Sequence, residues 1–535
     1  MASTFNFYRL QFQLEVWLGR LLLLCIALQA IALAIGSFQW RLGNDVGFFY
    51  YASMLVNEHS YLPYRDIHDT SFPGTYLIYA LITGLTGYSS TGFLCVNLLL
   101  ATLNGFLLYR ILRPVHTHMG IAAGLIFVNY YFISDHSNWL QRDFFIACLA
   151  TLSLAAATLL QHLRWRAMSV GLLMALACLV KPHAVLGAPL FTLLAACYQD
   201  KAFRWQTSRV LQCISLALVS FLLVLAITAL LMAQAGLLTP FWRMATEYLP
   251  LYQRMNGVHQ ILDYPHMLRN GFDWASNALL LALMPFSAAS LSLAVDQVNR
   301  ASTMKFYAVI FLIYASYVIY IGLGGKFWDY HQIPANVFYA CILAALFIPV
   351  QCNTAWKATL RLVCFLVGMF FTLGYNMLAV GIERMACLDF HSPVCTEDLG
   401  TEYRETETLV AFIRQHLRAG ERIEPLATST GGPIFPALLQ TGVLPVTPYL
   451  EGFPLYHDAG IPYIQSIRQD AMTRLVATPP RFMIRSSGFF GPSGNGASRF
   501  MELENFRAAH YRLVGEETYP ELAGITTFSV YEIKP

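Results

Sequence analysis

NDVGFFYYASMLVNEHSYLPYRDIHDTSFPGTYLIY, Asn44–Tyr79, follows directly on the first long apolar segment, and its reading decides the rest. It places Asp45, Asp66, Asp69, Arg65, His59 and His68 between two membrane-grade segments, where ionisable groups are costly unless they line a wet cavity or meet a charged ligand. Phe48, Phe49, Tyr50, Ala52, Met54, Leu55 and Val56 crowd a short segment. A helix in the membrane interface is expected there, with Asp45 at its start and its rings at headgroup depth. Phe72-Pro73-Gly74 opens a second apolar piece, Thr75 to Leu85, which is short for a full span. Two juxtamembrane helices flooring a site at the membrane surface are the expectation.

Working outward, the chain of 535 residues is 56% hydrophobic and 12% charged, so repeated apolar segments rather than one soluble core account for most of it. A net charge of +3, with no basic run interleaved with aromatics, excludes a nucleic-acid binder. The first apolar segment, about Leu18 to Phe38, is longer than a signal-peptide core and lacks a small-residue cleavage site, so it is expected to stay as an anchor. Further apolar segments fall near 90–109, 118–134, 144–162, 167–180, 183–198, 209–233, 274–295, 306–322, 332–350 and 360–381. The expected fold is an all-α polytopic membrane bundle of about eleven transmembrane helices.

Orientation follows from lysine and arginine. With the N-terminus cytoplasmic, the inner loops receive about thirteen basic residues, Arg9, Arg110, Arg113, Arg300, Lys357 and Arg361 among them, against about eight outside. A crossing by Thr75–Leu85 would put Arg110 and Arg113 outside and destroy that bias, so this piece is expected to be re-entrant or interfacial. The outer face then collects Asp45–Asp69, the Asp135–Asp143 loop, the Lys181-Pro182-His183 break, the 234–273 loop, the Lys326–His331 turn and everything after about Glu383. With that orientation the C-terminal domain is expected on the periplasmic or extracellular side.

Near residue 385 the composition becomes that of a soluble domain, with helix signal at 402–418 and strand signals at 422–428, 481–486, 511–515 and 525–533. Residues 1–384 are therefore read as the membrane domain and 385–535 as a small non-cytoplasmic α/β domain. Most of the eleven cysteines lie in apolar runs and act as small hydrophobes. Cys387 and Cys395 flank a polar turn and could close a small disulfide in an oxidising compartment; two free thiols are the alternative. No Cys/His metal spacing occurs.

The polar residues on the expected outer side are of two kinds. Asp45 and Asp143 are acids at the ends of apolar helices, and Arg65, Arg142, Lys181, Lys326 and His331 are bases in the same layer. Moving a group from a phosphate-bearing lipid to a hydroxyl needs this pairing: a carboxylate takes the hydroxyl proton, and cations or a divalent metal stabilise the departing phosphate. Blander readings stand beside each: a solvated cap for Asp45, a first-turn acid on a helix dipole for Asp143, a snorkelling lysine at a proline break for Lys181, a buried hydrogen-bonded histidine for His331.

In these residues the chain resembles the GT-C superfamily of polytopic glycosyltransferases that use polyprenyl-phosphate sugars, in particular the bacterial branch similar to protein O-mannosyltransferases and aminoarabinose transferases, which implies the bacterial inner (plasma) membrane as its location. The resemblance rests on Asp45, PYRD at 63–66, FPGTYLIYAL at 72–81, QRDFF at 141–145, GLLMALACLVKPHAVL at 171–186 and GGKFWDYHQIPA at 324–335. It implies Asp45 as general base or as the acid that orients the acceptor, Asp143 as a second acid shaping the acceptor or metal site, and Arg65, Arg142, Lys181, Lys326 and His331 on the donor phosphate. Tyr64, Asp66, His183 and Tyr330 would line the substrate. Many relatives carry Asp-Glu where this chain has Asp45-Val46, which bears on any metal in that loop. The implied activity is an inverting transfer of a hexosyl or pentosyl group to a lipid, glycan or protein acceptor in cell-envelope glycan biosynthesis. A polytopic lipid or glycan transporter would instead show repeated halves and ionisable groups at mid-span, and a non-catalytic scaffold would scatter the same residues.

Overall fold

The computed structural model describes residues 2–39, 45–134, 138–199, 202–255, 274–324, 329–373, 406–426, 432–457, 459–487, 499–521 and 524–535. In chain order the helices used below are α1 (Ala2–Gly36), α2 (Asp45–His59), α3 (Pro73–Thr86), α4 (Ser90–Leu112), α5 (Thr117–Ile133), α6 (Arg142–Leu159), α7 (Leu163–Val180), α8 (Ala188–Cys197), α9 (Thr207–Gln234), α10 (Leu238–Arg243) and α11 (Leu249–Met255). They continue with α12 (Trp274–Ala294), α13 (Gln297–Gly324), α14 (Ile333–Ala344), α15 (Ala355–Leu373), α16 (406–416), α17 (Ile434–Thr441), α18 (Pro462–Ala477) and α19 (Met501–His510). Each apolar segment read from the sequence overlaps a helix among the described residues.

Among the described residues eight helices are long and apolar enough to cross a bilayer, and three shorter apolar helices, Thr117–Ile133, Pro182–Cys197 and Leu283–Ala294, accompany them. The 28 residues of α9 reach about 42 Å at 1.5 Å per residue, and α9 leaves Leu218, Val219, Leu222 and Leu223 exposed. Such a face is stable only against lipid, and the chain is a membrane protein.

The chain divides into two units. The first comprises Met1–Gln39, Leu94–Ile227 and His259–Asp389. At its centre α14 packs on α5, α6 and α13, with nearly all its side chains buried. Gly105 and Gly124 let α4 and α5 meet backbone to backbone: a Cβ on Gly124 would stand 2.5 Å from the Gly105 carbonyl oxygen. Polar side chains bridge helices where no water competes, Asn129 to Gln29 at 3.1 Å and Tyr131 to Asn97 at 2.5 Å. Arg361 is a correction to the basic-residue census. It is buried on α15 in an ion pair with Glu15 of α1 at 3.1 Å and also donates to the Leu346 carbonyl. Arg166 on α7 is likewise buried and donates to the carbonyls of Leu160 and Tyr198.

The second unit comprises Trp40–Phe93, Thr228–Val258 and Phe390–Pro535. Both juxtamembrane helices form. α3, with Pro73 pre-set at its first turn, is 14 residues long and reaches about 21 Å, too short to span. Leu77, Leu81 and Leu85, four apart, make an exposed apolar stripe while Tyr76, Tyr79 and Thr83 face inward, the pattern of a helix lying in an interface. α2 departs from expectation, because its rings are packed inside the unit rather than held at headgroup depth. Phe49 stacks on Tyr79 at 4.8 Å, Phe48 meets Phe435 of α17, and Gly47 admits Pro436, which a Cβ would meet at 2.8 Å.

The C-terminal part of this unit carries a four-stranded mixed sheet of order β3-β4-β6-β5, formed by Ile423–Leu426, Phe482–Ser487, Tyr511–Glu521 and Gly524–Ile533; the two shortest strands, β1 (Tyr198–Gln199) and β2 (Ala202–Phe203), belong to the first unit. β3 and β4 are parallel, joined through α17 and α18, and β4-β6-β5 is antiparallel. These are the strands expected from the sequence. Ile464, Ile467 and Leu475 of α18 close the core over Met483, Phe500 and Leu503. The boundary at 384/385, Lys326, Cys387 and Cys395 lie outside the described residues.

Candidate functional site

In the first unit, residues far apart in sequence converge on Asp143. The chain enters α6 through Leu140, a non-glycine residue at φ +48°. Such a backbone costs about 1–3 kcal/mol and persists only where its surroundings over-determine it. Here the Leu140 N–H donates to the Tyr131 hydroxyl at 2.9 Å, Trp139 Nε1 donates to the Tyr131 carbonyl at 3.3 Å, and Phe144 stacks on the Tyr131 ring at 4.2 Å. The turn is held rigid, and it delivers Arg142 and Asp143 at the start of α6.

Asp143 is 0% exposed. A carboxylate removed from water at that depth must be paired. Lys181, at the C-terminal end of α7, donates to both carboxylate oxygens at 3.1 Å, and the Tyr320 hydroxyl of α13 donates to one of them. Lys181 Nζ also lies 5.4 Å from the Tyr320 ring centre, and the His183 ring meets the same tyrosine edge-on at 6.2 Å. The charges of Arg142 and His331 act on the carboxylate as well. His331 is buried in the short 3-10 turn Asp329–Gln332, with its ring against Tyr330 at 4.7 Å.

The Lys181 side chain, 16% exposed, is turned inward onto a carboxylate, so it does not snorkel. Lys181, His331 and Arg142 thus bring positive charge to bear on one buried carboxylate. The sequence reading missed Tyr320. It belongs to a buried tyrosine row on α13, Tyr307, Tyr314, Tyr317 and Tyr320, whose helical spacing was the available signal.

The remaining candidates belong to the second unit. Asp45 is the first residue of α2 and 6% exposed, so it is not a solvated cap. The PYRD turn is tight: Tyr64 sits at φ +68°, its N–H donates to the Ile67 carbonyl at 2.8 Å, and Asp66 accepts from the Leu62 N–H at 2.9 Å. Arg65 pairs with Asp66 at 2.7 Å, and the two line a cavity of about 300 Å³ with Arg422 and Arg474. Tyr64 donates its hydroxyl to the Ser71 carbonyl at 2.8 Å. Asp69 and His68 went unassigned in the sequence reading. Asp69 accepts from the Ser71 N–H and the Tyr76 hydroxyl, and His68 Nε2 shares a hydrogen bond with the Tyr463 hydroxyl at 2.8 Å. Among the described residues no three His, Cys, Asp or Glu side chains converge to hold a metal ion.

Two buried groups of this unit give opposite pH slopes. Burial holds the His68 imidazole down to about 4, against the pull of Asp69, whereas burial pushes the Glu424 carboxyl up to about 7, although the Thr447 hydroxyl and N–H both donate to it. The unfolded chain protonates His68 near 6.5 while the fold does not, so its contribution is present above pH 6.5 and is lost as pH falls toward 4. The fold retains the Glu424 proton that the unfolded chain releases above 4.5, so that contribution is present below 4.5 and is lost as pH rises through 7. Each is worth about 3 kcal/mol, and between pH 4.5 and 6.5 they cancel.

Native-state hydrogen exchange of β3 and β4 amides in the full chain, corrected for intrinsic rates, is expected to show near-constant protection over that range. Glu424→Gln should make protection rise with pH, and His68→Phe should make it fall. Equal slopes in both variants would refute the assignment.

No family model matches the sequence. No curated protein matches it. The crystal structure of ArnT from Cupriavidus metallidurans bound to undecaprenyl phosphate superposes with a TM-score of 0.53 at 12% identity, over 95% of this chain and 97% of that one. The apo form of ArnT superposes at 0.47 with 11% identity over the same shares. Archaeal oligosaccharyltransferase AglB from Archaeoglobus fulgidus, in complex with an inhibitory peptide and a dolichol-phosphate, superposes at 0.45 with 13% identity, over 88% of this chain and 69% of that one.

Proposed function

With the GT-C fold of the chain as the premise, we propose that it is a membrane glycosyltransferase that moves a sugar from a polyprenyl-phosphate donor to an acceptor hydroxyl, with inversion at C1. The observation that carries this reading is the buried Asp143–Lys181 pair in its cationic surround, inside a fold shared with an ArnT structure solved with undecaprenyl phosphate. Basic groups of that kind suit a departing lipid phosphate, whose negative charge grows as the C1–oxygen bond breaks.

In the proposed reaction the acceptor oxygen forms the new bond to C1 while the old C1–O bond breaks and its electron pair leaves on the phosphate oxygen. The hydroxyl proton passes to a carboxylate, the role assigned to Asp45. Lys181, Arg142 and His331 are assigned to the phosphate, Asp143 to holding Lys181 in place, and Tyr64, Asp66, His183 and Tyr330 to shaping the substrate surface. The donor is taken to enter from the outer leaflet, with the N-terminus cytoplasmic, as the basic-residue bias supports. A divalent cation would need ligands beyond those that converge among the described residues, and no step above depends on one.

The test is twofold. Purified full-length protein in nanodiscs should release polyprenyl phosphate from a polyprenyl-phosphate sugar only when an acceptor fraction is added. Mass spectrometry of envelope glycolipids and glycoproteins should show one sugar increment missing in a strain that lacks the gene. An unchanged envelope together with an intact donor sinks the proposal.

A further inference from the structure

The first unit holds a second cationic site. A cavity of about 670 Å³ opens where the start of α1, the end of α12, the start of α13 and the start of α15 come together, lined by Tyr8, Arg9, Arg300, Cys352, Trp356 and Lys357 among others. Among the described residues three cations line it and no Asp or Glu does. Two acids on the same helices and turn are otherwise engaged or outside: Glu15 pairs with Arg361, and Asp296 sits on the exposed turn between α12 and α13, where its carbonyl accepts from the Arg300 N–H. The Arg300 side chain makes a single long contact to the Val295 carbonyl at 3.4 Å, and its Nε is buried without a hydrogen-bond partner among the described residues. A donor left so in a cationic cavity is stabilised by an anion.

The surroundings say which anion. Trp356 is exposed, with Lys357 Nζ 6.0 Å from its ring centre, and Tyr8 lies on the same rim, an aromatic arrangement suited to headgroup depth. Further along the two helices that carry Arg9 and Lys357, α1 exposes Leu10, Leu14 and Trp17, and α15 exposes Leu362, Leu366 and Phe370, two apolar rails. A soluble phosphate has no use for such rails; an acyl chain does. We propose that this cavity binds the phosphodiester of an anionic phospholipid, with Arg9, Arg300 and Lys357 on the headgroup and the acyl chains along α1 and α15.

The test uses the full-length protein in a neutral detergent, titrated with phosphatidylglycerol, phosphatidylcholine or glycerol 3-phosphate, with bound lipid counted by native mass spectrometry. Phosphatidylglycerol should bind saturably and in preference to phosphatidylcholine, and glycerol 3-phosphate should not displace it. Arg300→Gln/Lys357→Gln should weaken binding about twenty-fivefold, taking each cation near the headgroup as worth about a fivefold factor. Arg110→Gln/Arg113→Gln, which removes the same charge from exposed positions elsewhere, should leave binding unchanged, and Arg300→Lys/Lys357→Arg should retain it. Equal binding of the two lipids, equal losses in the two Gln pairs, or displacement by glycerol 3-phosphate would each overturn the proposal. Because transfer activity is not the readout, the outcome is independent of the proposed function.

Discussion

Asp143→Asn is expected to abolish sugar transfer, by at least about a thousandfold, and to destabilise the protein by about 3 kcal/mol, the usual cost of removing one partner of a buried ion pair. The destabilisation comes from Lys181, whose ammonium would be left beside an amide that cannot neutralise it, at a site where Asp143 is fully buried. The two effects can be separated. In Asp143→Asn/Lys181→Met the ammonium is removed with its carboxylate, so thermal unfolding in detergent should recover toward that of the parent, while transfer should stay lost for want of the proposed phosphate contact. Tyr320→Phe removes the remaining donor to the carboxylate and should cost far less of either. If the double variant regains activity along with stability, the pair is scaffolding and the phosphate role of Lys181 is wrong.

The second large effect is expected at Asp45. Asp45→Asn preserves shape and removes the proposed base, so kcat should fall by about 10²–10⁴ while the KM for the lipid donor stays near that of the parent. Asp45→Glu retains a carboxylate and should keep part of the rate. Because Asp45 stands at the start of α2, where the helix dipole favours its charge, the amide also loses a small helix contribution, about 0.5 kcal/mol, too little to confuse the kinetics. An Asp45→Asn protein that transfers sugar at the parent rate would remove the general base from the proposal and leave the phosphate site standing.

These two variants probe residues that were legible to different degrees. Asp45 and Asp143 were readable because each begins a helix after a break, and acids at the mouths of apolar segments are costly enough to stand out. Lys181 was readable for the same reason, at a proline that ends α7. Their partner Tyr320 was not, since it lies 177 residues from Asp143 in the middle of an apolar run where a tyrosine passes for core. Arg361 misled in the opposite direction: close to a loop it reads as a solvated cation, and only Glu15, 346 positions away, shows it to be internal.

What the amino-acid sequence by itself determined is local and one-dimensional. Runs of apolar residues specify helices, Pro73 and Gln141-Arg142-Asp143 mark where two of them begin, and alternation near the C-terminus specifies the strands of a small sheet, because burial period and turn chemistry act between near neighbours. Tertiary structure decided the pairings: Tyr320 with Asp143, His68 with Tyr463, α2 packed within the same unit as the C-terminal sheet, and three basic residues from separate helices around one cavity. Hydropathy records whether a side chain leaves water, but which buried group receives it depends on how close-packed helices interlock.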